Sequence, residues 1–509
     1  MRDWGIDMTV RILGGTLHGV EGLLVLVEID ILSMLPSFTV VGLAMSAVRE
    51  ARERVRSAIG ASGYPFPRRR ITANLAPAGM PKSGTGLDLP LALGVIATSE
   101  ADPPWTDPPL AVGELGLDGT VRPVRGVLPV VEVAARAGCT RVIVPLANAA
   151  EAGLVPGVEV HGVRTLRQAW EAATGGQQHR VIAAPRVRVE PPGPDLADVR
   201  GLGAGRRALE IAAGGGHGLL LEGPPGAGKS MLAKRLASLL PDLGEQAALE
   251  VTRIHSAAGL LREGDGLLRR PPLRAPHHSA STAAVVGGGS PLSAGEVSLA
   301  HRGVLLLDEA PEFKRSTLEG LRQPMEDGAV TIARADRVAR FPALFQLVAT
   351  RNPCPCGYFG RNNDDCLCLI GERDRYLRRL SGPILDRIDL VAWVDPVDST
   401  TLLEGRVAEA SGVVRDRVAG ARGLREIPNA RASLQSCVRR LNTGGRREVE
   451  SGMGQLRGSA RGIQQFVRVA ATIADLDGSP AVKVPHVQEA LLLCAPRAHG
   501  RDRFVRSGL

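Results

Sequence analysis

Three observations predict an α/β fold preceded by an α+β region. The apolar run Gly218–Leu221 leads through the glycine-rich stretch Gly223 to Ser230 into Met231–Ala237, which has helical spacing. A second apolar run, Val304–Leu307, ends in two carboxylates, Asp308 and Glu309. Residues 173–196 are rich in Gly, Gln and Pro without apolar periodicity, and read as a linker. A chain of 509 residues exceeds what one core usually covers. The predicted divisions are 1–172, the linker 173–196, a core at 197–398 and a C-terminal helical region at 399–509.

The glycine-rich stretch carries the clearest chemistry. Gly223, Pro224, Pro225, Gly226, Ala227, Gly228, Lys229 and Ser230 spell GPPGAGKS between a strand and a helix. That context is the one in which backbone N–H groups turn inward to cradle phosphates, with the positive end of the helix dipole behind them. Lys229 would reach the β and γ phosphates and Ser230 would ligate Mg²⁺. Only five residues of the chain are lysine, against 57 arginines, so a compact ammonium at this position is chosen over a planar fork. The ligands implied are a nucleoside triphosphate, ATP by the resemblance below, and Mg²⁺.

Val304–Leu307 beside the strand of the glycine-rich loop would put Asp308 in the Mg²⁺ shell and leave Glu309 to polarise the attacking water. The alternative is a buried strand ending in surface carboxylates. Phe345–Arg351 is a further strand, ending at Asn352. Cys354, Cys356, Cys366 and Cys368 pair as CxC…CxC, which suits four thiolates around a tetrahedral Zn²⁺. Cys139, Cys437 and Cys494 sit in apolar surroundings and read as core. His277 and His278 are adjacent; on an extended segment they point to opposite sides, which argues against a shared metal.

Before the linker, strands are expected at Leu23–Ile29 and Arg141–Pro145, and helices at Ala47–Val55 and Val130–Ala137. Pro81–Asp88 and Gly119–Leu128 resemble the active-site segments of Lon-type proteases, whose serine nucleophile needs a lysine partner. Gly86 stands at the serine position and Leu128 at the lysine position. The resemblance therefore implies a Lon-protease-like domain lacking its catalytic dyad, a scaffold or docking domain.

GPPGAGKS, the runs Arg274–Ser281, Gly295–Gly303 and Asn352–Gly357, and Ser381–Asp389 together resemble the YifB/ComM magnesium-chelatase-like AAA+ ATPases over nearly the whole chain. The resemblance implies a P-loop ATPase core with a helical lid. It makes Asn352 a residue that positions the attacking water and Arg387 an arginine finger, the rival for Arg387 being an ion pair with Asp386 or Asp389. Arg461, opening a helical segment, looks like the second sensor arginine of the lid. Leu202 stands where relatives commonly have glutamine. ComM-type members form hexameric rings that migrate branched DNA in natural transformation, so a homo-hexamer acting on DNA is the partner expectation.

Charge agrees with a polyanion partner. The formal charge is +9, and from Thr401 to Leu509 there are 18 basic against 10 acidic residues, a difference of +8. Val330–Arg340 alternates and reads as a β-hairpin; relatives carry such a hairpin in the ring pore, making Arg334, Arg337 and Arg340 candidate phosphate contacts. The alternative is a solvated hairpin face. At 3% aromatic residues, the chain has little for base stacking. Met1–Gly5 lacks the apolar segment of a secretory signal and no run reaches about 18 apolar residues, which predicts a cytoplasmic protein off the membrane. Two rivals remain: a chelatase-type ATPase that drives metal insertion into a tetrapyrrole with partner subunits, and an ATP-dependent non-catalytic scaffold. Chelatase ATPase subunits lack the N-terminal domain, which disfavours the first.

Overall fold

The computed structural model describes residues 9–43, 45–100, 104–181, 193–289, 292–334, 337–359, 366–380, 382–398, 400–401, 408–452 and 460–494. The chain divides into two compact units. One holds Met1–Val189 together with Glu245–Leu268, the other Glu190–Gly244 with Arg269–Leu509.

The first unit is a seven-stranded mixed sheet: β1 (Val10–His18), β2 (Glu21–Leu32), β3 (Ser37–Val41), β4 (Arg70–Ala76), β5 (Leu110–Ala111), β8 (Arg141–Pro145) and β9 (Glu159–Val163), in the order β3-β4-β2-β1-β5-β8-β9. A separate small hairpin pairs β6 (Glu114–Leu115) with β7 (Val121–Arg122). Alternation in β2 buries Val25, Val27 and Ile29 on one face. Against that face lies the helix Asp88–Ala97, buried along its whole length. Its one acidic residue is paired: Asp88 accepts two hydrogen bonds from the Arg54 guanidinium, at 2.7 and 3.0 Å. Gly94 is where helix and sheet touch, since a Cβ there would meet Ile29 at 2.7 Å.

Residues 245–268, which the sequence places inside the P-loop domain, join this first unit. The helix Glu245–Ala258 lies on the helix Val127–Arg136. Arg253 pairs with Glu132 at 2.6 Å, and the Ser256 hydroxyl donates to Glu151 at 2.6 Å. Polar side chains with partners in another segment, rather than an apolar stripe alone, hold this helix there.

The second unit is built on a five-stranded, all-parallel sheet. Its strands are β10 (Leu219–Glu222), β11 (Leu273–Arg274), β14 (Val304–Leu307), β17 (Gln346–Arg351) and β18 (Leu390–Trp393), in the order β11-β14-β17-β10-β18. Near-continuous apolar runs such as Val304–Leu307 are what a parallel sheet covered on both faces requires. Two hairpins stand apart from it: β12 (Gly287–Gly288) with β13 (Ser293–Ala294), and β15 (Ala329–Arg334) with β16 (Arg337–Pro342). The helices Ser411–Gly423, Ala460–Leu476 and Val484–Cys494 share one core with the helix Gly203–Gly215 and the sheet, through Val418, Phe466, Ala470, Ile473 and Val487. His217 fastens the two layers: fully buried, it meets Asp389 at 2.9 Å and Thr472 at 2.7 Å. Among the described residues no helix is long and apolar enough to cross a membrane.

Candidate active site

At the carboxyl end of β10 the chain turns through Gly223–Gly228 into the helix Lys229–Leu239. Gly226 and Gly228 have φ of +75° and +90°, the left-handed region that glycine enters without strain. Gly223 is needed for closeness, because a Cβ there would lie 2.2 Å from the Val394 carbonyl oxygen. Lys229 is buried, and its ammonium donates to the carbonyls of Gly223 at 2.8 Å and Pro224 at 2.7 Å, and to Asn352 Oδ1 at 3.0 Å. Burial lowers its pKa, opposed by the charges of Asp308, Glu309 and Glu222.

The acids reach the loop through hydroxyls. Ser230 Oγ donates to Asp308 Oδ1 at 2.7 Å, and Thr350 Oγ1 donates to the same oxygen at 2.6 Å. Thr350 also accepts the Glu309 backbone N–H at 2.8 Å. Glu309 is exposed and has φ +52°, a conformation uncommon for a residue with a Cβ and one that clusters at functional sites. Locked by Thr350 beneath, it presents its carboxylate outward. The sequence reading sets β14 beside β10; instead β17 lies between them. That insertion brings Thr350 and Asn352 into the site.

Thr350, Glu222 and Arg351 escaped the sequence reading. Arg351, 3% exposed, pairs with Glu222 at 2.9 Å directly behind the loop. No signal betrays Thr350, because threonine in a strand is an ordinary β-former. Beside the loop opens a cavity of about 650 Å³ lined by Asp198, Leu202, Gly226, Gly228, Met231 and Val397 among others. Leu202, at φ +55°, caps the helix Gly203–Gly215 at this cavity.

Two of the expected residues lie elsewhere. Arg387 precedes β18 and Arg461 begins the helix Ala460–Leu476, and together they line a second cavity of about 810 Å³ with Gly218, Glu326, Gln346 and Asp389. Gly218 and Gln346 stand at the amino ends of their parallel strands, so these arginines sit at the opposite end of the sheet from Lys229. Arg387 is ion-paired with Glu326. Burial lowers its pKa, and the nearby charges of Arg461 and Arg322 act in the same direction.

In the hairpin, Thr331 faces Arg340 and Arg334 faces Arg337. Val330, Ala339 and Phe341 are buried and Arg340 is exposed; the side chains of Arg334 and Arg337 lie outside the described part of the structure, as do Ala335 and Asp336. His277 and His278 do not diverge as an extended segment would have them. A turn at 277–280, with the Ala280 N–H on the His277 carbonyl and Ser279 on His277 Nδ1, sets their rings 4.1 Å apart. Among the described residues, the cluster of metal-ligating side chains is the four cysteines, whose sulfurs all lie within 4.8 Å of one another. Gly86 occupies the turn before the helix Asp88–Ala97, and Leu128 is buried in the helix Val127–Arg136.

Three family descriptions match the chain. Residues 195–402 match the family described as magnesium chelatase, subunit ChlI; residues 27–148 match subunit ChlI of Mg-chelatase, and residues 398–493 its C-terminal family. An uncharacterized protein of Mycobacterium tuberculosis is 43% identical over 496 residues, covering 94% of this chain and 97% of the relative. YifB of Escherichia coli is 42% identical over 483 residues, with 93% and 94% covered. The competence protein ComM of Haemophilus influenzae is 40% identical over 490 residues, with 93% and 95% covered. With identity of this order running nearly end to end, and an AAA+ P-loop α/β core in between, the chain belongs to the YifB/ComM family of magnesium-chelatase-like AAA+ ATPases.

Proposed function

We propose that this protein is an ATP-hydrolysing ring motor, a homo-hexamer that translocates on DNA during recombination or natural transformation. The observation that carries the reading is the separation of its two halves. Lys229, Ser230, Asp308 and Glu309 interlock at one end of the sheet, and Arg387 with Arg461 converges at the other. An arginine that stabilises charge on the γ oxygens must reach them, so the finger would serve a neighbouring copy.

The residues fit ATP and Mg²⁺. Gly226 and Gly228 leave a cradle with no Cβ in it, and the Lys229 ammonium is satisfied by two carbonyls and one amide oxygen, neutral partners that phosphate oxygens would outbid. Ser230 and Asp308 would hold Mg²⁺, which when bound neutralises charge on the β and γ oxygens. Glu309 would take the proton of the attacking water, oriented by the Thr350 hydroxyl under its backbone. Asn352, released from Lys229, would then hold that water. The base fits the cavity beside Leu202.

DNA is the proposed track because of the basic excess after residue 400, the exposed Arg340 on its hairpin, and the kinship with a competence protein. The N-terminal unit is read as Lon-like without peptidase chemistry, since Gly86 and Leu128 offer neither nucleophile nor base. Structural Zn²⁺ on the four cysteines, and a place in the cytoplasm, complete the proposal. ATP turnover measured with single-stranded, duplex and branched DNA tests it: stimulation is expected, steepest with branched DNA. A turnover indifferent to all three, at low salt, would remove DNA from the account.

A further inference from the structure

The four cysteines sit on the two ends of one segment. Cys354 and Cys356 follow Asn352 as β17 ends, and Cys366 and Cys368 immediately precede the helix Ile370–Arg379. Their sulfurs are 3.3 Å apart for Cys354 and Cys356, and 3.7 Å for Cys366 with each of those two. Around a Zn²⁺ with Zn–S near 2.3 Å, tetrahedral sulfurs stand about 3.8 Å apart. A disulfide would need about 2.05 Å. The Gly357 and Phe359 N–H groups already donate to Cys354 Sγ, at 3.2 and 3.4 Å, as a thiolate requires.

Both ends of the segment touch the nucleotide site. Asn352 Oδ1 accepts from Lys229, and Tyr376, on the helix Ile370–Arg379, is buried beside the Asn352 backbone. Gly357, at φ +84°, packs so closely on Pro225 of the P-loop that a Cβ would meet its ring at 2.4 Å. One metal held by all four sulfurs would therefore fix Asn352 from one side and the P-loop from the other.

We propose that the four-thiolate zinc site is a clasp that positions Asn352 and the P-loop for hydrolysis, so that metal occupancy governs ATP turnover more than ATP binding. This rests on the reading that the cysteines hold Zn²⁺, and the experiment separates the two. Full-length protein is assayed for bound zinc, then stripped with a mercurial thiol reagent and chelator, and reconstituted with Zn²⁺ or Co²⁺ after thiol reduction. The fluorescent-ATP Kd and the kcat are measured at each stage.

Expected are about one zinc per chain, a thiolate-to-cobalt charge-transfer band after Co²⁺, and a kcat 10- to 100-fold lower in the stripped form with Kd within about threefold, both recovering with metal. Gly357→Ala keeps every cysteine and needs no stripping. It should retain its zinc and lose kcat about tenfold, because the loop can no longer close on Pro225. Well under half an equivalent of zinc, with all four thiols alkylated at the rate of free cysteine, overturns the metal reading and the clasp with it. One zinc per chain, but wild-type kcat in the stripped protein or in Gly357→Ala, overturns the clasp alone.

Discussion

The two ends of the five-stranded sheet are furnished in opposite ways. At the carboxyl ends of the strands, a lysine, two acids, two hydroxyls and an amide are hydrogen-bonded into one set. At the amino ends, Arg387 and Arg461 share a cavity, and Arg387 is held by Glu326. On the proposed reading, one end holds a nucleotide and prepares a water, and the other brings arginines together beside the carboxylates of Glu326 and Asp389. A hydrolytic site that uses both must draw on two copies, and the contrast can be broken at either end.

The largest effect should come from the carboxyl end. Lys229→Ala removes the only ammonium in the cradle, and ATP binding and turnover should fall below detection; equal nucleotide affinity in variant and wild type, by fluorescent-ATP titration, would refute the P-loop assignment. Glu309→Gln should differ in kind, binding ATP with wild-type affinity and failing to turn it over, since only proton acceptance is lost. At the amino end, Arg387→Ala should bind ATP normally and hydrolyse it about a thousandfold more slowly. If instead its ATP affinity collapses and its kcat survives, Arg387 belongs to a binding site in its own copy.

A smaller effect separates folding from chemistry. Asp475, buried in the helix Ala460–Leu476, faces Arg425 and Arg440 at 2.7 and 2.6 Å and Asn429 at 2.7 Å. Burial raises its pKa, but those hydrogen bonds outweigh burial and hold it below the usual carboxylate range. A carboxylate depressed in the folded state stabilises fully above its unfolded pKa, near 3.9, and that stability is lost as pH falls through the folded value. Asp475→Asn should lower unfolding stability at neutral pH by about 3–5 kcal/mol, by leaving two arginines short of their partner, and should flatten the acid limb of Tm against pH. The smallest effect is expected on the hairpin: Arg340→Gln should leave basal ATPase intact and reduce the salt slope of DNA affinity by about one unit. An unchanged slope would make it a solvated face.

The carboxyl end was largely legible in the sequence because its chemistry is local. GPPGAGKS dictates its own turn, and Asp308 and Glu309 end an apolar run of strand length. What lay hidden depends on adjacency between distant segments. Nothing in Val304–Leu307 tells that β17 separates it from β10, so Thr350 went unseen. Arg387 and Arg461 each stand out in the sequence, yet their convergence is a matter of tertiary packing, as is the pairing of Arg387 with Glu326. Residues 245–268 carry helical spacing, but only their partners Glu132 and Glu151 show which unit they join. Only the orientation expected of His277 and His278 fails, because a turn held by Ser279 replaces the extended backbone on which it stood.

The claim that a working site is shared between copies is tested most directly by mixing Lys229→Ala with Arg387→Ala protein and measuring ATP turnover against mixing ratio. Each variant alone should be nearly inactive. In mixed rings some sites combine an intact P-loop with an intact arginine from the neighbour, so activity should appear on mixing, peak near equal amounts, and exceed the sum of the two. Turnover that stays at that sum, with mixed assembly verified by differential tags, would contradict the account.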